Sequence, residues 1–224
     1  MPLLNSSSAP AVSPEFADTA RADRLHSRLA RVGRTIFPRR LTFGLVTVAL
    51  TAAFMHGGAR WGRLGEIATW MGLALTIAGF SLRAWASGCA GHHTRDETLH
   101  TPQLVTGGPF AHVRNPIYLG TAVLGLGVVG VLGEAWLVAP WALALGALYG
   151  AIIPAEERYL AGKFGDAYRR YCLAVPRLLP RPLRWTEAGE VSFRWSATLG
   201  ELPLIAIVGA IIVGLKWLQT LHRM

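Results

Sequence analysis

Five apolar stretches, separated by short polar breaks, set the architecture of this chain. The first runs from Leu41 to Met55 and is closed by His56-Gly57-Gly58. It falls short of the roughly 20 residues that a hydrocarbon core requires, so its start is placed nearer Ile36. The second, Ile67 to Trp85, is interrupted only by Arg83, whose long stem can snorkel to the interface. The third covers Ile117 to Leu132, and the hairpin Gly133-Glu134-Ala135-Trp136 leads into the fourth, Leu137 to Ile153, which Pro154 is expected to end. The fifth covers Ala197 to Trp217, with Glu201 and Pro203 in its first turns. This pattern predicts an all-α integral membrane protein of about five transmembrane helices.

The polar intervals are also patterned. Between the second and third stretches, Gly107-Gly108-Pro109 must turn, because two glycines before a proline disfavour any regular element. After Pro154, Leu160, Phe164, Tyr168 and Tyr171 share one face of an amphipathic surface helix over Ala155 to Tyr171; Val175-Pro176-Arg177 and the prolines at 180 and 182 stop it. At the N-terminus, residues 1–20 are rich in Ser, Pro and Ala and read as a disordered tail without the basic-then-apolar pattern of a secretory signal. Seven arginines between Arg21 and Arg40 alternate with Leu25, Leu29, Val32 and Ile36 at helical spacing, which suits either a helix on anionic lipid or a solvated linker. The expected division is 1–35, tail and basic segment, and 36–224, membrane domain.

Composition agrees. Hydrophobic residues make up 52% of the 224, charged residues 16%, and mean hydropathy is +0.36; a soluble domain carries about 25% charged residues. The formal net charge of +9 is explained by loops. Lysine and arginine number 17 on the side holding the N-terminus, the central loop and the region after Pro154, against four on the other, with Arg83 set aside as interfacial. The positive-inside rule then places the N-terminus and the central loop in the cytoplasm and the C-terminus outside, in an inner or plasma membrane. No basic stretch interleaves with aromatics on a nucleic-acid-binding module, so nucleic acid is excluded as a partner. Cys89 and Cys172 lack the spacing of a redox or zinc motif, and neither His92-His93 nor His100 completes a metal pattern. Gly125-x-Gly127-x-x-Gly130 matches a dinucleotide fingerprint, but it lies within a membrane helix whose backbone donors are already committed. These glycines, with Gly120, Gly146 and Gly150, are expected to let the third and fourth helices pack closely as a hairpin.

The candidate chemistry gathers where the third and fourth helices meet the cytoplasm. Arg114, Asn115 and Tyr118 place a fixed cation, an amide and a phenol at the mouth of a hydrophobic helix, and Glu156-Glu157 lies on the same side. Taken singly, each has a plain explanation: Arg114 as a positive-inside anchor, Tyr118 as an interfacial belt residue, and the acids as first-turn residues favoured by a helix dipole. Their convergence points to a site.

These residues also resemble a known pattern. Thr106-Gly107-Gly108-Pro109-Phe110 with Arg114-Asn115-Pro116-Ile117-Tyr118-Leu119-Gly120 is similar to the T-x-G-P-Y…R-H-P-x-Y-x-G motif of the isoprenylcysteine carboxyl methyltransferase family. Glu156-Glu157, Phe164-Gly165, Tyr168, Tyr171 and Val175-Pro176-Arg177 resemble its second half. The phospholipid methyltransferases share the R-H-P-x-Y-x-G and E-E core. The resemblance covers 67–182 and implies a membrane methyltransferase that uses S-adenosyl-L-methionine without a Rossmann domain and acts on a lipophilic or lipidated acceptor. By position it implies a cofactor pocket of Leu104, Val105, Phe110, Asn115, Pro116, Ile117, Tyr118, Glu156 and Glu157, with Arg114 and Tyr118 as catalytic candidates and no metal. Three departures stand out: Asn115 for the family His, Phe110 for Tyr, and Ile152 where eukaryotic members carry a substrate-directed Arg. The alternatives are a phosphatidylethanolamine N-methyltransferase, which needs a base to deprotonate its amine, and a non-enzymatic membrane scaffold.

Overall fold

The computed structural model describes residues 65–91, 103–182 and 185–221. The N-terminal tail, the basic segment, the first apolar stretch and His92, His93 and His100 lie outside the described residues. Within them the chain is helical throughout: α1 (Gly65–Ala90), α2 (Pro116–Leu132), α3 (Val138–Ala174), the short α4 (Trp195–Leu199) and α5 (Leu202–Leu221), with single 3-10 turns at Gly108–Ala111 and Ala135–Leu137. Three of these spans are long and apolar enough to cross a membrane: Gly65–Ala90, Ala135–Ala174 and Trp195–Leu218. Helix α2 has 17 residues, about 25 Å at 1.5 Å per residue. Large apolar side chains such as Trp70, Met71, Leu143, Val213 and Trp217 are exposed on the outer surface, as expected of helices that face lipid.

The closest packing joins α1 to α2. A Cβ added at Gly72 would lie 2.5 Å from the Val131 amide nitrogen, and one at Gly79 2.5 Å from that of Leu124. Neither position admits any side chain, so two backbones meet along a small-residue stripe. This corrects the expected hairpin of the third and fourth stretches. Gly120, Gly127 and Gly130 serve α1, Gly125 receives the Trp141 indole of α3, and Gly146 and Gly150 meet nothing within 4 Å. The reason is that Gly72, Thr76 and Gly79 recur on α1 at the same helical spacing, giving α2 a complementary surface that α3 lacks. Helix α5 packs at the far end, where Leu215 joins Val129, Leu132 and Leu137.

Pro154 does not end α3, which runs through it to Ala174. A proline removes one hydrogen bond and crowds the preceding turn, but contacts on both sides hold the helix together: Tyr149 and Glu156 both engage Tyr118. The break comes instead at Gly165, with φ 52° and ψ −125°, backbone angles open to glycine alone. Glu156 and Glu157 are therefore mid-helix residues, and the first-turn dipole explanation for them fails.

Arg83 does not snorkel outward. Its Nε and Nη2 each lie 2.9 Å from Glu201 Oε2, at the start of α5, and the two side chains are 16% and 6% exposed. A desolvated arginine needs a partner more than it needs the interface.

Candidate functional site

The segment after α3 folds back along the central turn and fixes its shape. The Arg114 amide donates to the Pro176 carbonyl (2.8 Å), the Arg181 amide to that of His112 (2.9 Å), and the Trp185 amide to that of Ala111 (3.1 Å). The Gly189 amide reaches Thr106 Oγ1 at 2.9 Å. A Cβ on Gly107 would sit 2.2 Å from the Gly189 carbonyl oxygen, which is why a glycine stands there. Tyr171, deeply buried, donates its hydroxyl to the Phe110 carbonyl (2.8 Å), and Leu104 packs on the cluster of Tyr168, Tyr171 and Val175. Thus the two half-motifs, far apart in sequence, form one structural unit.

Asn115 opens α2 and donates its side-chain amide to the Arg177 carbonyl at 3.1 Å. Arg177 in turn holds Glu157: its Nε lies 3.1 Å from Oε1 and its Nη2 bonds Oε2. Arg114 reaches the same carboxylate from the other side, at 3.4 Å. One acid therefore binds two guanidiniums, and its hydrogen bonds and charge raise the Arg177 pKa above its ordinary value. Arg114 keeps a donor in reserve: its Nε is buried and has no hydrogen-bond partner. A buried guanidinium donor without an acceptor is costly.

One turn along α2, the Tyr118 hydroxyl donates to Glu156 Oε1 at 2.6 Å, and the Tyr149 hydroxyl donates to the Tyr118 carbonyl at 2.6 Å. The two rings meet edge to face at 5.0 Å. Beside this group opens a cleft of about 750 Å³, lined by Arg114, Pro154, Glu157, Arg158, Ala161, Tyr168, Arg169, Cys172, Leu173 and Arg177. Its volume lies in the range of small-molecule sites, roughly 300–1,000 Å³.

Of the residues expected in a pocket, Arg114 and Glu157 line this cleft. Tyr118 and Glu156 are joined to each other, Asn115 is tied to it through Arg177, and Leu104 and Phe110 brace its back wall through Tyr171. Pro116 is fully buried, the Ile117 carbonyl is turned to Arg83, and Val105 is half-buried; these three do not line the cleft. Arg158 and Arg169 were counted only as positive-inside charges, and their positions on α3, two residues past Glu156 and one past Tyr168, were the available signal.

Membrane-length helices with a charged cleft beside them define a helical membrane protein. Comparison with known proteins then narrows the class. The family model described as phospholipid methyltransferase matches residues 67–167. The chain is 38% identical over 77 residues to the protein-S-isoprenylcysteine O-methyltransferase of Schizosaccharomyces pombe (34% of this chain, 33% of that one). It is 32% identical over 127 residues to the human protein of the same name (54% and 44%). It is 31% identical over 147 residues to the cobalt-zinc-cadmium resistance protein CzcN of Cupriavidus metallidurans (61% of each). The resemblance carried by the two half-motifs is thereby borne out: the matched segment is similar both to the phospholipid methyltransferase model and to proteins named protein-S-isoprenylcysteine O-methyltransferase. The chain spans between 33% and 61% of the lengths of the curated relatives it matches. No solved structure matches it.

Proposed function

We propose that this protein is an S-adenosyl-L-methionine-dependent methyltransferase, of the isoprenylcysteine carboxyl O-methyltransferase type, acting on a lipophilic acceptor that carries an anionic group. The observation that carries this reading is the Glu157 carboxylate held between Arg114 and Arg177 at the wall of the cleft, with the Arg114 Nε still unpartnered. The donor set suits the cofactor. Arg114 and Arg177 would hold its carboxylate, and Glu156 and Glu157 its ammonium and ribose. Leu104 and Phe110 would support the site through Tyr171, and Asn115 and Tyr118 would set the positions of Arg177 and Glu156. Val105, Pro116 and Ile117, which do not line the cleft, would act only through the backbone that carries these residues. When bound, the cofactor supplies a methyl group on a cationic sulfur. The chain's own part is to orient the two reactants and to exclude water, to which Pro154, Ala161 and Leu173 contribute an apolar wall. A carboxylate acceptor is already ionised at neutral pH, so the site requires no general base.

The same reading places the cleft on the cytoplasmic side, with five spans over 36–224, the C-terminus outside, and residues 1–35 as a tail with a basic lipid-facing segment. A second reading, phosphatidylethanolamine N-methylation, is favoured by the description of the matched family model. The lining speaks against it: an ammonium must lose a proton before it can attack, and the carboxylate that lines the cleft, Glu157, is already paired with Arg114 and Arg177. Purified full-length protein incubated with methyl-labelled cofactor and, in parallel, a prenylated cysteine, a fatty acid or phosphatidylethanolamine decides. Base-labile label on a carboxyl acceptor is expected. N-methylated lipid alone would establish the second reading, and cofactor that does not bind the folded protein would leave a scaffold role.

A further inference from the structure

We propose that Arg83 and Glu201 are positioning residues that set the first turn of α2, so that α5, outside the segment matched by the family model, forms part of the functional unit. Its consequence for methyl transfer rests on the function proposed above; the geometry does not.

Arg83 divides its donors. Nε and Nη2 hold Glu201, while Nη1 crosses to α2, bonding Thr121 Oγ1 and approaching the Ile117 carbonyl at 3.4 Å. The Thr121 hydroxyl is 2.9 Å from that same carbonyl. Glu201 is held from its other side by the fully buried Ser87, whose hydroxyl donates to Oε1 at 2.8 Å. A guanidinium is a rigid planar fork, so fixing one edge on Glu201 fixes where the other edge points. That edge points at the peptide carbonyl immediately before Tyr118.

Tyr118 is thus gripped from two directions. From α3, Tyr149 holds its carbonyl and Glu156 its hydroxyl. From α1 and α5, Arg83 holds the carbonyl of Ile117. Without the Glu201 charge, Arg83 would remain among helices with little water, and the acceptors left within its reach belong to α2. The pull would then fall on the turn that carries Tyr118. A simple staple between α1 and α5 would need none of the contacts to Ile117 and Thr121. The stretch leading into α5 is already tied to α1 by others: the Thr198 hydroxyl of α4 to the Ala84 carbonyl at 3.2 Å, and the amide of Arg194, just before α4, to the Gly88 carbonyl at 2.9 Å.

The test uses full-length protein in detergent with 3-fluorotyrosine placed at Tyr118 and read by fluorine NMR. Glu201→Gln and Thr121→Val are each expected to move the Tyr118 resonance by more than its linewidth, and Thr198→Ala, which removes a contact between α1 and the neighbouring α4, to leave it in place. An unmoved resonance in both Glu201→Gln and Thr121→Val would overturn the proposal, as would an equal shift in Thr198→Ala. If Glu201→Gln fails to fold, Thr121→Val alone decides. In the methyl-transfer assay Glu201→Gln should lower kcat about tenfold while KM for the cofactor changes less than about threefold, the signature of misplacement rather than lost binding. A wild-type protein that binds no S-adenosyl-L-methionine would end the functional reading, yet leave the resonance experiment fully interpretable.

Discussion

Two polar knots flank the first turn of α2, and they are built on opposite plans. In one, Glu157 is shared by Arg114 and Arg177 beside an open cleft; Arg177 is half exposed, and Arg114 retains an unpartnered Nε. In the other, Arg83 and Glu201 face each other between helices, with Ser87 and Thr121 taking up further contacts. The first leaves a donor unpartnered and reaches the surface through Arg177; in the second, all three nitrogens of Arg83 are engaged. An incomplete knot beside a cavity has capacity for a ligand. A closed knot has its capacity turned inward, on the backbone it grips. The contrast teaches that an ion pair by itself says little about function; the state of its remaining donors and the space beside it decide.

This contrast can be broken by mutation. The largest effect is expected from Arg83→Ala, which strands Glu201 among helices; it should lower stability by about 3–5 kcal/mol, seen as a fall in the unfolding midpoint in detergent. A loss of under 1 kcal/mol would mean that water reaches the pair. Arg114→Ala should do the reverse, with little change in unfolding but S-adenosyl-L-methionine binding weakened at least about tenfold, the worth of a hydrogen bond to a charged group. Glu156→Gln is expected to weaken cofactor binding to a similar degree, measured by equilibrium dialysis; unchanged affinity would make its bond to Tyr118 purely structural. Tyr118→Phe removes that bond alone and should slow methyl transfer about fivefold, read under saturating cofactor. The smallest effect belongs to Asp166→Asn, since Asp166 and Arg169 are 82% and 77% exposed; any change in stability should fall within about 0.5 kcal/mol.

Much of this was legible in the sequence because it rests on composition over long windows. The apolar stretches from Ile67, Ile117, Leu137 and Ala197 all became helices, since about 20 apolar residues in lipid leave the backbone little alternative. The meeting of the two half-motifs was legible too, as Asn115 to Arg177 and Tyr118 to Glu156. Which helix the glycines served was not. Gly120 and Gly127 form a small-residue stripe on α2, but a stripe names no partner, and the matching Gly72 and Gly79 lay unremarked in an apolar run. Pro154 misled because a local rule met tertiary contacts on both sides of it. Arg83 misled because its partner stands 118 residues away, and nothing in a hydropathy pattern says which lone arginine has found a lone glutamate. Arg158 and Arg169 were hidden for a related reason: they look like any other cytoplasmic charges until α3 is seen to run through Pro154 and carry them to the cleft.

The most direct measurement is equilibrium binding of labelled S-adenosyl-L-methionine to the full-length protein, with Arg114→Ala and Asp166→Asn beside it. Saturable binding to the wild type and to Asp166→Asn, weakened at least about tenfold in a folded Arg114→Ala, is the predicted result. A folded wild type that shows no saturable binding at millimolar cofactor, or an Arg114→Ala variant that binds as well as the wild type, would contradict it.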